Sequence, residues 1–194
     1  MTVLYLVRHA HASWSLDDAR PLSSAGEKAA ARVAELLGSR SLAAIHASTE
    51  RRARQTVEPL AEQKGLPIHP EDGLRERRLM DAEIADFRAA VERTWDEPDF
   101  AFPGGESNTA AQRRGLEVVR RVVADHPDGE VVLGTHGNLL ALVLQHFDPK
   151  VGFDFWESLT MPDIIRLEVE GEEIKGWKRV WVAPPAVESS APSV

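Results

Sequence analysis

The stretch that best indicates the fold lies near the start of the chain and reads Leu4-Tyr5-Leu6-Val7-Arg8-His9-Ala10-His11-Ala12-Ser13-Trp14. Its first four residues are apolar, which is typical of a buried strand, and the apolar run ends abruptly at Arg8 and His9. In open α/β sheets, binding and catalytic sites lie beyond the carboxyl ends of the strands. The pattern therefore predicts that Arg8 and His9 belong to a functional site.

The composition limits the classes of protein to which the chain can belong. Its 194 residues contain 23 Lys or Arg and 31 Asp or Glu, a net charge of −8, which does not favour binding to nucleic acid. The lack of cysteine excludes disulfides, thiolate catalysis and cysteine-ligated zinc. We expect a cytoplasmic protein without membrane association, because there is no signal-peptide pattern and no apolar run of about 18 residues or more.

The hydrophobic pattern predicts strands that alternate with amphipathic helices and then a closing hairpin. Strands are predicted at residues 3–7, 42–45, 66–69, 131–133, 165–169 and 174–182. Strands separated by helices form parallel sheets, whereas the final hairpin must be antiparallel. We therefore predict an α/β protein, a three-layer α/β/α sandwich whose mostly parallel central sheet has an antiparallel edge.

Two segments depart from this alternation. Residues 71–105 begin with charged residues, continue as one amphipathic helix starting near Asp81, and end in a loop rich in Pro and Gly. We predict that they form a cap inserted into a single domain of residues 1–182. Residues 183–194 are rich in Pro and Ser and are predicted to be a disordered tail.

The predicted strand at residues 131–133 is also followed by a histidine, within Thr135-His136-Gly137-Asn138. Gly137 permits a ligand to approach the backbone closely, and the N-terminus of the following helix carries partial positive charge. Two imidazoles, a guanidinium group and a helix N-terminus together suit a dianionic phosphoryl group.

The segments around these residues resemble those of a known family, the histidine phosphatase superfamily, which includes the cofactor-dependent phosphoglycerate mutases. The resemblance extends over six segments in the family's order: Leu-Val-Arg-His-Ala at 6–10, Leu-Ser-x-x-Gly at 22–26, Ser-x-x-x-Arg-Ala-x-Gln-Thr at 48–56, Leu-Arg-Glu at 74–76, Pro-x-Gly-Glu-Ser at 103–107 and Thr-His-Gly-Asn at 135–138.

The resemblance implies a phosphoglycerate mutase-like fold and a phosphatase that needs neither a metal nor a cofactor. His9 is then the nucleophile that forms a phosphohistidine, Glu76 the proton donor, and His136 the third catalytic residue. The predicted phosphate-binding residues are Arg8, Arg52, Ser15, Gly137 and Asn138.

Several residues differ from those that are usual in the family. These differences leave the residues of phosphoryl transfer unchanged and affect which substrate is expected. Ala10 stands where glycine is common, His11 where Glu or Gln is usual, and Ser15 where many members have Asn. The Trp-Glu-Gly-type segment that commonly follows the proton donor is absent from Arg77 onward. We expect a small phosphorylated substrate, with a phosphoprotein as the other option. A mutase is disfavoured because the cap is short and mixed in charge.

Three other functions have some support in the sequence. A protein phosphohistidine phosphatase is favoured by the Arg-His-Ala variant and disfavoured by the cap and Glu76. A binding module for phosphorylated ligands would keep Arg8, Arg52 and His136 but lack a working Glu76. A metallohydrolase could use His9 and His11, but no cluster of Asp and His with ligand spacing follows. The remaining histidines, His46, His69, His126 and His146, are expected to be structural.

Overall fold

A single mixed sheet crosses the protein, which we describe from a computed structural model covering residues 1–13, 20–80, 85–171 and 173–182. The strands are β1 (Thr2–Arg8), β2 (Leu42–Ser48), β3 (Ile68–Glu71), β4 (Glu130–Thr135), β5 (Asp163–Glu170) and β6 (Glu173–Arg179). The helices are α1 (Ser24–Leu37), α2 (Arg51–Lys64), α3 (Phe87–Asp96), α4 (Asn108–Asp125), α5 (Gly137–Phe147) and α6 (Phe153–Ser158), with a 3-10 turn at Asp72–Leu74.

The order of the strands places β1, which is followed by His9, beside β4, which is followed by His136. The order is β3-β2-β4-β1-β5-β6. The pairs β2–β3, β2–β4 and β1–β4 are parallel, whereas β1–β5 and β5–β6 are antiparallel. The predicted α/β fold with an antiparallel edge is therefore confirmed.

Alternate residues of β1 enter two separate apolar cores, one on each face of the sheet. Leu4 and Leu6 join a core that includes residues of α4 and α5. Tyr5 and Val7 join a second core with residues of α1 and α2. Each fully buried side chain of this size stabilises the fold by about 1.5–3 kcal/mol. A strand that is covered on both faces needs apolar residues at successive positions, and this explains the continuous apolar run of β1.

Several boundaries differ from the predictions. β2 continues through residues 46–48 because it lies between β3 and β4, pairing with β4 as far as Ala47 and with β3 as far as Ser48. α6 was not predicted, since six residues are too few to show a helical period. α3, the helix of the predicted cap, begins after Asp86, whose side chain accepts from the Ala89 amide at 2.9 Å.

Some predictions fall outside the described residues. The proposed helix start at Asp81 and the tail at 183–194 are among them. The division into one domain with a cap at 71–105 stays a prediction. Among the described helices, none combines the length and the apolar character needed to cross a membrane.

Candidate active site

The register between β1 and β4 brings His9 and His136 together. Arg8 and Thr135 are paired across the two parallel strands, so the residues that follow them leave the sheet side by side. The His9 amide donates to the Thr135 carbonyl at 2.9 Å, and the two imidazole centroids are 5.1 Å apart. The convergence expected from two similar strand ends is present in the structure.

The hydrogen bonds of His9 define which ring nitrogen is free to react. Nδ1 lies 2.8 Å from the Ala10 carbonyl, which can only accept, so Nδ1 carries the proton and Nε2 has the lone pair. The Nε–H of Arg52 points at that lone pair from 3.2 Å. Burial, together with the nearby Arg52 and Arg8, lowers the pKa of His9 to about 3. The imidazole is therefore neutral at neutral pH, as a nucleophile must be.

Arg52 lies at the centre of the site, in the first turn of α2, with only 8% of its surface exposed. Its Nη2 is 3.3 Å from Nδ1 of His136 and forms an ion pair with Glu50. Burial lowers the pKa of Arg52, and the charge of Glu50 opposes that shift. This guanidinium therefore contacts both histidines.

His136 is fully buried and is fixed by its two ring nitrogens. Because a guanidinium only donates, Nδ1 accepts from Arg52, and Nε2 carries the proton and donates to Oγ of Ser48 at 2.8 Å. Burial, followed by the proximity of His9 and Arg52, places the pKa of His136 well below its usual value. His136 is thus a second neutral imidazole.

Arg8 lies flat against the first residue of α5. Its Nη1 donates to the Leu159 carbonyl at 2.7 Å. A Cβ atom added to Gly137 would lie 2.8 Å from both Cζ and Nε of Arg8. Glycine at position 137 therefore allows the guanidinium to pack directly on the backbone. Burial lowers the pKa of Arg8, and the charges of Glu76 and Asp163 oppose that shift.

The carboxylate of Glu76 lies on the N-terminus of α5. Its Oε2 accepts from the Asn138 amide at 3.1 Å, and its Oε1 accepts from the amides of Leu139 at 3.0 Å and Arg77 at 2.9 Å. The helix N-terminus that was expected to face the phosphoryl group thus holds Glu76 in this structure. A helix N-terminus attracts any anion, carboxylate or phosphate.

The side chain of Asn138 is directed at the cap helix and α4. It accepts from Nε1 of Trp95 at 3.2 Å and donates to the Asn108 side chain at 3.3 Å. Its predicted role in phosphate binding stays a prediction.

A pocket of about 350 Å³ opens beside these groups and carries an excess of positive charge. The residues that line it are Arg20, Glu50, Arg52, Arg75, Glu76, Arg77 and Arg78. Five guanidinium groups against two carboxylates make it attractive to an anion, although the chain as a whole is acidic.

Comparison with known proteins shows to which family the chain belongs. The sequence profile of the histidine phosphatase superfamily (branch 1) matches residues 4–181.

The chain belongs to the histidine phosphatase superfamily.

Named relatives of this histidine phosphatase are phosphatases. It is 30% identical to the phosphatase PhoE of Bacillus subtilis over 150 residues, which are 74% of this chain and 76% of that protein. It is 34% identical to glucosyl-3-phosphoglycerate phosphatase of Mycobacterium tuberculosis over 135 residues, 62% of this chain and 60% of that protein. The sequence-based predictions of the family and of a phosphatase are confirmed.

Solved structures of the superfamily share the fold along nearly the whole chain. The phosphate complex of mycobacterial glucosyl-3-phosphoglycerate phosphatase superposes with a TM-score of 0.73 at 29% identity, covering 93% of this chain and 97% of that one. Bacillus stearothermophilus YhfR gives a TM-score of 0.73 at 28% identity, covering 90% of this chain and 94% of that one.

The structure of this histidine phosphatase brings four of the predicted site residues together and does not describe one of them. His9, His136, Arg8 and Arg52 lie together, whereas Ser15 lies outside the described residues. The ring of His11 is bound to Oγ of Ser23 at 2.8 Å. Within the described ranges, no group of three or more His, Asp or Glu side chains is arranged to hold a metal ion.

The site also contains two residues that were not predicted from the sequence, Glu50 and Arg114. Glu50 pairs with Arg52, and its Oε1 lies 3.8 Å from Nε2 of His136.

Arg114 donates to the carbonyls of residues 73, 75 and 76 at 2.9, 2.8 and 3.2 Å. The same guanidinium forms a two-pronged ion pair with Glu106 at 2.8 and 2.7 Å. Arg114 and Glu106 thus hold the segment that carries Glu76.

Replacing Glu106 with glutamine should lower kcat by about ten- to a hundredfold, because small displacements of a reacting group have effects of this order. Arg114 would lose its charged partner, and the segment that presents Glu76 would loosen. Steady-state hydrolysis of an aryl phosphate measures this effect. Glu117→Gln, an exposed change on the helix that carries Arg114, is the matched control. Equal rates in the two variants would rule out the positioning role.

Replacing Gly137 with alanine should lower kcat/KM by about tenfold or more, since the new methyl group displaces the Arg8 guanidinium. Thermal stability should fall by about 1–3 kcal/mol as well, because displacing Arg8 disturbs its hydrogen bond to the Leu159 carbonyl. Gly152→Ala serves as the control, since a Cβ atom there meets no atom within 4 Å. A variant with unaltered kinetics would show that Arg8 needs no such contact.

Proposed function

We propose that this histidine phosphatase hydrolyses a small phosphomonoester through a phosphohistidine formed on His9, without a metal ion. The observation that carries the proposal is the state of His9. Its imidazole is neutral, and its Nε2 lone pair faces Arg52 beside a pocket rich in arginine.

In the first step, Nε2 of His9 attacks phosphorus, and the bond between phosphorus and the leaving oxygen breaks. Glu76 gives its proton to that oxygen, so an alcohol departs. The charge of the phosphoryl oxygens in the transition state is stabilised by Arg8, Arg52 and His136. Since these cationic and polar side chains supply the stabilisation, the mechanism needs no metal.

In the second step, water attacks the phosphorus atom of phosphohistidine. The carboxylate of Glu76 takes a proton from this water, the phosphorus–nitrogen bond breaks, and the electron pair returns to Nε2 of His9. Inorganic phosphate then leaves, and Glu76 is protonated again for the next cycle. The two proposed steps use five residues: His9, Glu76, Arg8, Arg52 and His136.

The pocket volume of about 350 Å³ lies at the lower end of the range of small-molecule sites, about 300–1,000 Å³, and supports a small substrate. The relatives from Mycobacterium are named for action on glucosyl-3-phosphoglycerate; for this chain we propose only the broader class of small phosphomonoesters. A cytoplasmic location without nucleic-acid or membrane partners remains a prediction from the composition.

A rapid-quench experiment tests the proposal. The enzyme is mixed with an aryl phosphate labelled with ³²P in the presence of a chelator and quenched in alkali, which preserves phosphohistidine. We expect multiple turnovers and label on the protein that acid removes. Activity that the chelator abolishes, or turnover without labelled protein, would contradict the mechanism. Phosphate binding without turnover would instead indicate a phospho-ligand binding module.

A further inference from the structure

Asp163 is a buried carboxylate that takes no part in the two proposed reaction steps. It is the first residue of β5, none of its surface is exposed, and it lies opposite Arg8 in the antiparallel pair of β1 and β5. Residues directly opposite each other in such a pair project their side chains from the same face of the sheet. Asp163 and Arg8 therefore share the face on which Arg8 packs against Gly137.

Arg179, on β6, forms a two-pronged ion pair with this carboxylate. Its Nε donates to Oδ1 at 2.9 Å, and its Nη2 donates to Oδ2. Nη2 also donates to the carbonyl of Ser158 at 2.9 Å. The carboxylate accepts in addition, through Oδ2, from the amide and the hydroxyl group of Thr160 at 2.8 and 3.2 Å. The ion pair thus binds both residues that flank Leu159.

Asp163 and Arg8 bind opposite ends of one peptide group. The amide of Thr160 donates to Asp163, and the carbonyl of Leu159 accepts from Nη1 of Arg8 at 2.7 Å. This amide and this carbonyl belong to the same planar unit, so fixing one fixes the direction of the other. The preceding peptide group is held in turn by the ion-paired arginine of β6. A carboxylate at the amide end also polarises the carbonyl, which strengthens the bond from Arg8.

The Leu159 carbonyl is the main anchor of the Arg8 guanidinium. Nε of Arg8 is buried without a hydrogen-bond partner. Within the described residues, the bond from Nη1 to this carbonyl and the packing on Gly137 therefore set the direction of the group. Burial lowers the pKa of Arg8, and the charges of Glu76 and Asp163 oppose that shift. The carboxylate of Asp163 thus supports both the orientation and the charge of Arg8.

We propose that Asp163 is a positioning residue for phosphoryl transfer, which acts through the Leu159–Thr160 peptide group to direct the Arg8 guanidinium at the transferred phosphoryl group. Arg179 completes the arrangement by holding the carboxylate and the preceding peptide group. This inference rests on the proposed function, because it takes Arg8 to bind the phosphoryl group. A role in stability alone would not make the effect of Asp163 depend on the presence of Arg8.

Two variants disturb the arrangement in different ways. Asp163→Asn keeps the shape of the side chain but removes its charge, and Arg179→Lys keeps a positive charge but loses the fork that binds two carboxylate oxygens and a carbonyl. Each should lower kcat/KM for p-nitrophenyl phosphate by about tenfold, because Arg8 is displaced from the phosphoryl group. The control is Arg166→Met, which removes another ion pair of β5, the pair with Glu168, and should leave kcat/KM unchanged.

A double-mutant cycle shows whether these losses pass through Arg8. In the Arg8→Ala background, Asp163→Asn should change kcat/KM by less than about twofold, because the group that it positions is already missing. A purely structural loss would add to that of Arg8→Ala and would again be about tenfold, so additive losses would overturn the proposal. The same cycle is run with Arg179→Lys, and thermal unfolding is recorded for every protein to confirm that it is folded.

Binding of inorganic phosphate distinguishes a failure of this inference from a failure of the proposed function, because it needs no turnover. Calorimetric titration of the same proteins with phosphate gives the affinities. If the wild type hydrolyses no aryl phosphate but Asp163→Asn weakens phosphate binding about tenfold only when Arg8 is present, the positioning role stands and the catalytic proposal fails. An unchanged phosphate affinity in both Asp163→Asn and Arg179→Lys would overturn the positioning role, whatever the wild type hydrolyses.

Discussion

Replacing His9 with alanine is expected to lower kcat for p-nitrophenyl phosphate by at least about a thousandfold, because removal of a nucleophile eliminates the covalent route. Residual turnover should reflect only the orientation of water and the charges of Arg8 and Arg52. The measurement is steady-state hydrolysis in chelator, with thermal unfolding recorded for each protein.

His69→Ala is the matched control, since His69 is an exposed histidine on the edge strand β3. It should retain wild-type kcat. If the His9 variant kept a substantial fraction of the activity, another group would have to be the nucleophile and the role of His9 would be lost. Comparing the kcat of the two variants separates the loss of the proposed nucleophile from any general effect of removing a histidine.

Replacing Glu76 with glutamine is expected to reduce kcat by about 10²- to 10⁴-fold, the range observed for general acid–base groups. The loss should depend on the leaving group. An alkoxide needs a proton as it departs, whereas p-nitrophenolate is stable without one. Glycerol 3-phosphate should therefore lose more activity than p-nitrophenyl phosphate when the formation of phosphohistidine limits the rate.

Glu58→Gln, an exposed change on α2, provides the control for removing a carboxylate. Single-turnover experiments isolate the first step, in which the leaving group departs. An equal loss for both substrates in that step would show that Glu76 positions the α5 terminus, through its contacts with the Asn138 and Leu139 amides, rather than donating a proton.

The sequence predicts most completely those features that depend on residues close together in the chain, such as apolar runs and short motifs. The apolar run that ends at Arg8, and the similar run before His136, are sufficient to place both histidines at one edge of a parallel sheet. Strand order then makes them neighbours, since β1 and β4 pair directly. The Ser-x-x-x-Arg spacing likewise places Arg52 at the start of α2, four residues beyond Ser48, the last residue of β2, which fixes His136.

Other contributors depend on contacts between distant segments, which local pattern does not encode. Arg114 is one of many arginines in α4, and only the folded chain shows that its guanidinium meets carbonyls about 40 residues earlier in the sequence. Glu50 could be taken for an ordinary helix-capping charge until its ion pair with Arg52 is seen. The occupation of the α5 N-terminus by Glu76 is similarly a tertiary effect.

The pairing of β1 with β4 has a consequence for how this enzyme could change over evolutionary time. His9, the proposed nucleophile, is held by a main-chain hydrogen bond from its amide to the Thr135 carbonyl, and the main-chain bonds of the sheet are insensitive to most side-chain substitutions. Residues 77–105, which follow Glu76, contribute Arg77 and Arg78 to the pocket but none of these strand bonds. Mutations in that segment can therefore alter which alcohol is accepted while the chemistry at phosphorus persists.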